Sequence, residues 1–184
     1  MQNVITQAEA KMKQTIEAVR SEFAGVRTGR ATPTLLDRVR VSYYGTDVPI
    51  NQVANISIPE SRLIVIAPWD KTTIPAIEKA ILTSDLNLTP MSDGQVVRIT
   101  IPALTEERRQ ELGKVVQRMA EDGRIAVRNI RRDANNALEQ MEKKSEVSED
   151  EMHRGKQQVQ EVTDDYVSQI DELAQAKVDE IMEI

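Results

Sequence analysis

All seven prolines of this 184-residue chain lie between Pro33 and Pro102. Proline removes a backbone donor and clashes with the preceding helical turn, so its distribution marks where long helices cannot run. Two proline-free arms therefore flank a proline-punctuated middle. In the first arm, Ile5, Ala8, Met12, Ile16, Val19, Phe23 and Val26 recur at alternating threes and fours, which lines one face of a helix. The second arm carries two such stripes. One runs through Val116, Met119, Gly123, Val127, Ile130, Ala134, Ala137 and Met141. The other runs through Val159, Val162, Tyr166, Ile170 and Leu173, extended by Val178 and Ile181. Thr105 followed by Glu106, Glu107 and Arg108 supplies an N-cap with acid in the first turn. Ser148-Glu149-Asp150-Glu151 has the form of a capping box.

A helix from about Thr105 to Lys143 is roughly 58 Å long at ~1.5 Å per residue. It cannot bury its stripe alone. Three stripes in one chain can satisfy one another, which predicts a monomeric three-helix bundle. Small residues at Gly123, Ala134 and Ala137 allow close helix approach. A heptad-paired dimer is the competing arrangement.

Between residues 31 and 104 the texture changes. Val39, Val41 and Tyr43 alternate with polar residues and lead into Gly45-Thr46-Asp47, the pattern of a strand and a turn. Residues 53–58, 63–66 and 96–101 read as further strands, and Pro75 to Ser84 as a short helix with proline near its start. The fold class expected is α+β: a long three-helix bundle from residues 1–30 and 105–184, with a small β/α/β domain inserted over residues 31–104. The chain enters the insert through Arg30, Ala31, Thr32 and Pro33 and leaves through Ile101, Pro102, Ala103 and Leu104. Two crossings suit a hinge, and a pair of ordinary tight turns is the alternative.

Enzyme chemistry finds little support. There is no cysteine, so disulfides and thiolate metal sites are excluded. The one histidine, His153, lies in an acidic polar stretch. No HExxH or P-loop is present, and Gly25, Gly29 and Gly45 form no phosphate-binding fingerprint. Asp164-Asp165 and Asp171-Glu172 fit a solvated helix face. We therefore expect no catalytic residue, no metal and no cofactor. The N-terminus lacks a signal-peptide pattern, and no apolar run approaches the ~18 residues of a membrane span. These features suggest a cytoplasmic protein with no membrane partner.

The formal charge is −6, which by itself argues against a nucleic-acid partner, but the charge is uneven. Residues 1–30 carry +2, residues 31–104 carry −1, residues 105–144 carry +2, and residues 145–184 carry −9. Acid is concentrated in the last segment, so a basic surface can exist elsewhere. From Arg108 to Arg132 there are eight Lys/Arg against three Asp/Glu. At ~100° per residue, Arg124, Arg128 and Arg132 fall on one flank of the second stripe, with Arg131 between that flank and the core edge. Guanidinium groups bind phosphate bidentately and stack on bases, so four of them on a rigid helix suit RNA. Pairing with the acidic third helix is the competing use.

These arginines stand in Val127-Arg128-Asn129-Ile130-Arg131-Arg132-Asp133-Ala134-Asn135. That string resembles the ribosome recycling factor family. So do Val26-Arg27-Thr28-Gly29-Arg30-Ala31-Thr32-Pro33, Tyr43-Tyr44-Gly45-Thr46, Ala76-Ile77-Glu78-Lys79-Ala80-Ile81 and Leu104-Thr105-Glu106-Glu107-Arg108-Arg109. The resemblance covers nearly the whole chain in order. It implies an L-shaped protein whose three-helix domain I carries a β/α/β domain II on a flexible hinge. It implies binding to the rRNA of the large subunit after termination, and subunit splitting with elongation factor G and GTP that frees mRNA and tRNA. The GTPase supplies the energy in that scheme. The implied rRNA contacts are Arg128, Arg131 and Arg132, to which we add Arg124, Arg109, Arg27 and Arg30 as candidates. A coiled-coil adaptor that binds protein, or an unrecognised hydrolase, is the rival reading.

Overall fold

The computed structural model describes residues 1–183. The chain separates into two compact units, one formed by Met1–Thr28 with the chain from Thr105 onward, the other by Gly29–Leu104.

The first unit is helical: α1 (Gln2–Ala24), α3 (Glu106–Lys143) and α4 (Glu149–Met182). Their predicted start signals form. The Thr105 hydroxyl accepts the Arg108 N–H, and Ser148 and Glu151 complete a reciprocal capping box at the head of α4. Together these satisfy N–H groups that would otherwise be orphaned at each helix start. Helix α1 stops at Ala24, so Val26 buries its side chain from the segment beyond it rather than from the helix. The α3 core is broader than the predicted stripe. Ala120 and Leu138 are fully buried, whereas Met119, Ile130, Ala137 and Met141 are half-buried. Helix α3 packs against both α1 and α4, so it buries two adjoining faces and one 3–4 stripe understates its core.

Two polar ties fix the ends of these helices. The Thr28 hydroxyl, buried just before the first crossing, donates to Glu180 Oε1 at 2.9 Å. Lys177 braces the other oxygen of Glu180 at 3.3 Å.

The second unit holds a hairpin of β1 (Arg40–Tyr43) and β2 (Thr46–Pro49), and an antiparallel sheet of β3 (Ala54–Glu60), β4 (Leu63–Pro68), β5 (Pro90–Ser92) and β6 (Val97–Thr100) in the order β3-β4-β6-β5. Helix α2 (Ile74–Thr83) covers one face. Ile64, Ile66, Val97 and Ile99 point into that layer and meet Ile74, Ile77 and Ile81 in one buried cluster. Strands β2 and β5 add to the set expected from the sequence. The predicted turn at Gly45-Thr46-Asp47 sits one residue earlier, at Tyr44-Gly45, both with positive φ. Thr46 and Asp47 already belong to β2, paired with Tyr43 and Ser42.

The residues proposed as a hinge divide. Ala31 N–H donates to Ser61 O, and Ile101 N–H donates to Arg62 O, each at 2.8 Å. Both crossings are thus tied to the β3–β4 turn, and Ala31 and Ile101 are buried in the second unit's core. Thr32 and Pro33 open a short 3-10 turn of the same unit. Gly29, at φ +77°, backs onto Leu104, where a Cβ would come within 3.2 Å of the leucine Cγ. Between these ties, Pro102 and Ala103 are exposed.

Candidate nucleic-acid interface

The proposed arginines are not equivalent. Arg124 lies on the side of α3 that faces α4, with 17% of its side chain exposed. Its Nε donates to Glu121 Oε2 at 2.8 Å and its Nη1 to Asp171 Oδ1 on α4 at 2.6 Å. Burial pulls the Arg124 pKa down, but the hydrogen bonds from Glu121 and Asp171 outweigh it and hold it above the ordinary arginine value. Arg124 is therefore neutralised within the bundle. The competing use weighed from the sequence, pairing with the acidic last helix, is realised here.

One turn on, Arg128 is 46% exposed and reaches only Glu121 Oε1, at 3.4 Å. Arg131 is half-buried and donates to Gln160 Oε1 on α4 at 3.2 Å. Arg132 is exposed and has no acidic partner among the described residues. Going outward from α4, the arginines pass from doubly paired, through loosely held, to free. Arg109 is half-buried near the start of α3 and Arg27 is exposed just past α1. Arg30 is half-buried and belongs to the second unit.

Three features of this face escaped the sequence reading. Glu121, which orients both Arg124 and Arg128, was legible in principle from its i, i+3 spacing to Arg124. Arg118 and Ile125 are exposed on α3 on either side of Glu121, Ile125 at 45%. Asp171 and Gln160 carried no usable signal, because their partnership depends on the register between α3 and α4.

Among the described residues, no group of three or more His, Asp or Glu side chains is placed to hold a metal ion. His153 is exposed beside Glu149 at 3.7 Å, and no helix is long and apolar enough to cross a membrane.

A rigid helix that presents graded arginines while pairing the innermost with acid can bind a polyanion in a defined register. Comparison with known proteins identifies the family. The ribosome recycling factor family model matches residues 19–182. The chain is 54% identical over 184 residues to the ribosome-recycling factor of Desulforamulus reducens, covering 100% of both chains. It is 56% identical over 181 residues to that of Pelotomaculum thermopropionicum and 54% identical over 181 residues to that of Bacillus subtilis, covering 98% of each chain in both cases. Among solved structures, a solution structure of a ribosome recycling factor matches with a TM-score of 0.72 and 44% identity, over 100% of this chain and 97% of that one. A second match has a TM-score of 0.62 and 42% identity, over 98% of this chain and 97% of that one. It comes from models for the T. thermophilus ribosome recycling factor and the E. coli elongation factor G bound to the E. coli post-termination complex. With two units in the expected order and matches of this extent along the chain, it belongs to the ribosome recycling factor family.

Proposed function

We propose that this chain binds rRNA of the large ribosomal subunit through the outward side of α3. With elongation factor G and GTP, it then splits post-termination ribosomes, freeing mRNA and tRNA for a new round of translation. It acts in the cytoplasm, as a non-enzymatic factor whose energy comes from the partner GTPase. The observation that carries this reading is the gradation of the α3 arginines, with Arg128 and Arg132 available to phosphate. The relative seen with elongation factor G on a post-termination complex supports the choice of partners. In this reading Arg128, Arg131 and Arg132 make the rRNA contacts, Arg109, Arg27 and Arg30 extend them, and Arg124 supports the surface from within. The first unit, Met1–Thr28 with the chain from Thr105 onward, serves as the rRNA-binding domain I and Gly29–Leu104 as domain II, two residues earlier than the boundary expected after residue 30. The hinge lies in Arg30–Pro33 and Ile101–Leu104, with the exposed Pro102-Ala103 step as its freest part on the second crossing.

The test is sedimentation of post-termination ribosomes with this protein, elongation factor G and GTP, which should convert them to subunits. Arg132→Ala should weaken large-subunit binding by about 1–3 kcal/mol, the scale of a charge-assisted hydrogen bond. Unchanged affinity with the fold intact removes Arg132 from the site. Phosphate contacts also require affinity to fall as log salt rises. Salt-insensitive binding would favour a protein-binding adaptor instead. Inserting several Gly-Ser residues after Arg30 and again before Leu104 should preserve binding yet abolish splitting, because a flexible spacer absorbs displacement. Normal splitting by the lengthened protein would mean that occupancy by the bundle, not force through the crossings, separates the subunits.

A further inference from the structure

Glu121 is the one acid on the outward side of α3 that touches two of the arginines. Its two oxygens have different duties. Oε2 is bound at 2.8 Å by the Nε of Arg124, a guanidinium itself held at 2.6 Å by Asp171. That anchor stops the carboxylate from swinging away. Oε1 is left presented to Nη1 of Arg128 at 3.4 Å. A charge-assisted N–H···O bond is ordinarily ~2.7–2.9 Å, so the first contact is a full bond and the second is at the outer limit of one. The Arg124 bond is also the main cause holding the Glu121 pKa below the ordinary glutamate range, with Arg128 contributing less. The carboxylate therefore remains ionised and fixed in place while Arg128, nearly half exposed, is only lightly engaged.

We propose that Glu121 is a built-in competitor for the RNA phosphate at Arg128, setting the specificity of the arginine face. This inference rests on the RNA-binding reading above. In the free protein the fixed carboxylate occupies part of the Arg128 fork, much as a phosphate oxygen would. A random polyanion that reaches Arg128 alone must displace that contact and approach a negative charge, and it gains little. An RNA surface that also engages Arg132, which has no competing acid among the described residues, and Arg131 holds its phosphate in register long enough to take Arg128 from Glu121. The acid thus costs stray RNA relatively more than it costs the matched site. Arg124 is a positioning residue in this arrangement, since it aims the carboxylate and does not touch RNA.

The experiment is a double-mutant cycle on the full chain, with Glu121→Gln, Arg128→Ala and the combined variant. Binding is measured to purified large subunits and to an unrelated RNA hairpin across a salt series. Asp122→Asn, the neighbouring exposed acid, serves as a control with the same change in charge. Glu121→Gln should tighten hairpin binding about two- to five-fold at low salt, the scale of releasing an exposed ion pair. It should also steepen the salt dependence by roughly one phosphate contact. Large-subunit affinity should rise less, so discrimination between the two RNAs falls. The gain should disappear when Arg128 is already alanine, whereas the smaller gain from Asp122→Asn should persist in that background. Far-UV ellipticity and melting confirm that each variant is folded, and Glu121→Ala gives a second reading of the same cycle.

The inference is overturned if Glu121→Gln matches Asp122→Asn or if its gain survives in the Arg128→Ala background, since either outcome reduces Glu121 to diffuse charge. Weaker binding by Glu121→Gln also overturns it, because the acid would then be orienting Arg128 for the RNA. The RNA-binding reading itself is judged separately, by Arg132→Ala on large subunits.

Discussion

Helix α3 contains two glycines whose surroundings predict opposite responses to the same substitution. A Cβ added at Gly113 meets no heavy atom within 4 Å. A Cβ added at Gly123 comes to 2.8 Å from Val19 Cγ2 on α1 and 3.4 Å from Ile170 Cδ1 on α4. Glycine to alanine in a helix interior gains about 1 kcal/mol from propensity alone, and that gain is common to both sites. At Gly123 it is opposed by overpacking, typically about 1–3 kcal/mol. The opposing atoms cannot easily retreat. Val19 is 3% exposed and Ile170 is fully buried, and a β-branched valine has little χ1 freedom. Gly113→Ala should therefore stabilise the helical unit by about 1 kcal/mol, while Gly123→Ala ranges from neutral to about 2 kcal/mol destabilising. Urea unfolding followed by far-UV ellipticity reads the difference, as a raised midpoint for Gly113→Ala and an unchanged or lowered one for Gly123→Ala, by about 0.3–1 M per kcal/mol for a slope of roughly 1–3 kcal/mol per M. The slope should be unchanged. Equal stabilisation by both substitutions would refute the tight apposition at Gly123. The apposition also bears on the arginine face. Gly123 meets Ile170, and the next residue along each helix gives the Arg124–Asp171 pair at 2.6 Å. A Cβ at 123 should loosen that pair as it forces the helices apart.

Arg124→Ala should lower the bundle's melting temperature through loss of its two acceptors, by up to about 1 kcal/mol for pairs open to solvent on the carboxylate side. It should weaken large-subunit binding less than Arg132→Ala does, and the reverse order would place Arg124 among the RNA contacts. Ser148→Ala should cost about 1 kcal/mol of stability through loss of the α4 N-cap, measured by thermal unfolding. The pH dependence of this cap has a definite sign. Glu151 is held below the ordinary glutamate value of 4.5, first by its hydrogen bond from the Ser148 backbone N–H and then by the Ser148 hydroxyl. A carboxylate with a lowered folded-state pKa contributes stability that is present above 4.5 and lost as pH falls through the folded value. Acid should thus fray the head of α4, and Glu151→Gln should remove that part of the acid sensitivity. A Glu151→Gln variant with the parent's acid profile would show that the capping box does not contribute to it.

The parts of the fold legible in the sequence are those where one physical signal is long and uncontested. Helices α3 and α4 extend through tens of residues without a proline, and their caps are made by residues adjacent in sequence. The four-residue β2 is exposed over its first half, has no buried residue and ends on Pro49. The three-residue β5 begins with Pro90. Neither has room to show a period of two, and each is held in place by its partner strand rather than by its own pattern. The candidate site was legible only as a list. That α3 carries an arginine flank follows from spacing along one helix. Which of those arginines stays free depends on Asp171, 47 residues downstream of Arg124, and no local pattern encodes the register between two helices. The same limit applies to the crossings. Gly and Pro advertise turns, but the backbone bonds that tie Ala31 to Ser61 and Ile101 to Arg62 belong to the folded second unit.

The acid of the last helix presents an apparent paradox, since a chain of net charge −6 is asked to hold RNA. Its contacts resolve much of it. Asp171 is spent on Arg124, and Glu180 binds Thr28 and Lys177. Farther along the α3–α4 seam the sign reverses, with Lys156 of α4 donating to Glu139 of α3 at 2.6 Å. The Arg124–Asp171 and Lys156–Glu139 pairs lie between helices, where partial burial of the cation makes each charge worth more than on open surface. What they leave unpaired on α3 is biased toward cation, with Arg132 free and Arg128 lightly held. Net charge describes the field far from a protein, whereas over a Debye length of ~8 Å at physiological salt an RNA backbone responds to the charges on the face it touches. An acidic last helix and a cationic middle helix are then consistent demands. The first helps fix the register of the bundle, and that register decides which arginines remain for phosphate in the proposed RNA contact.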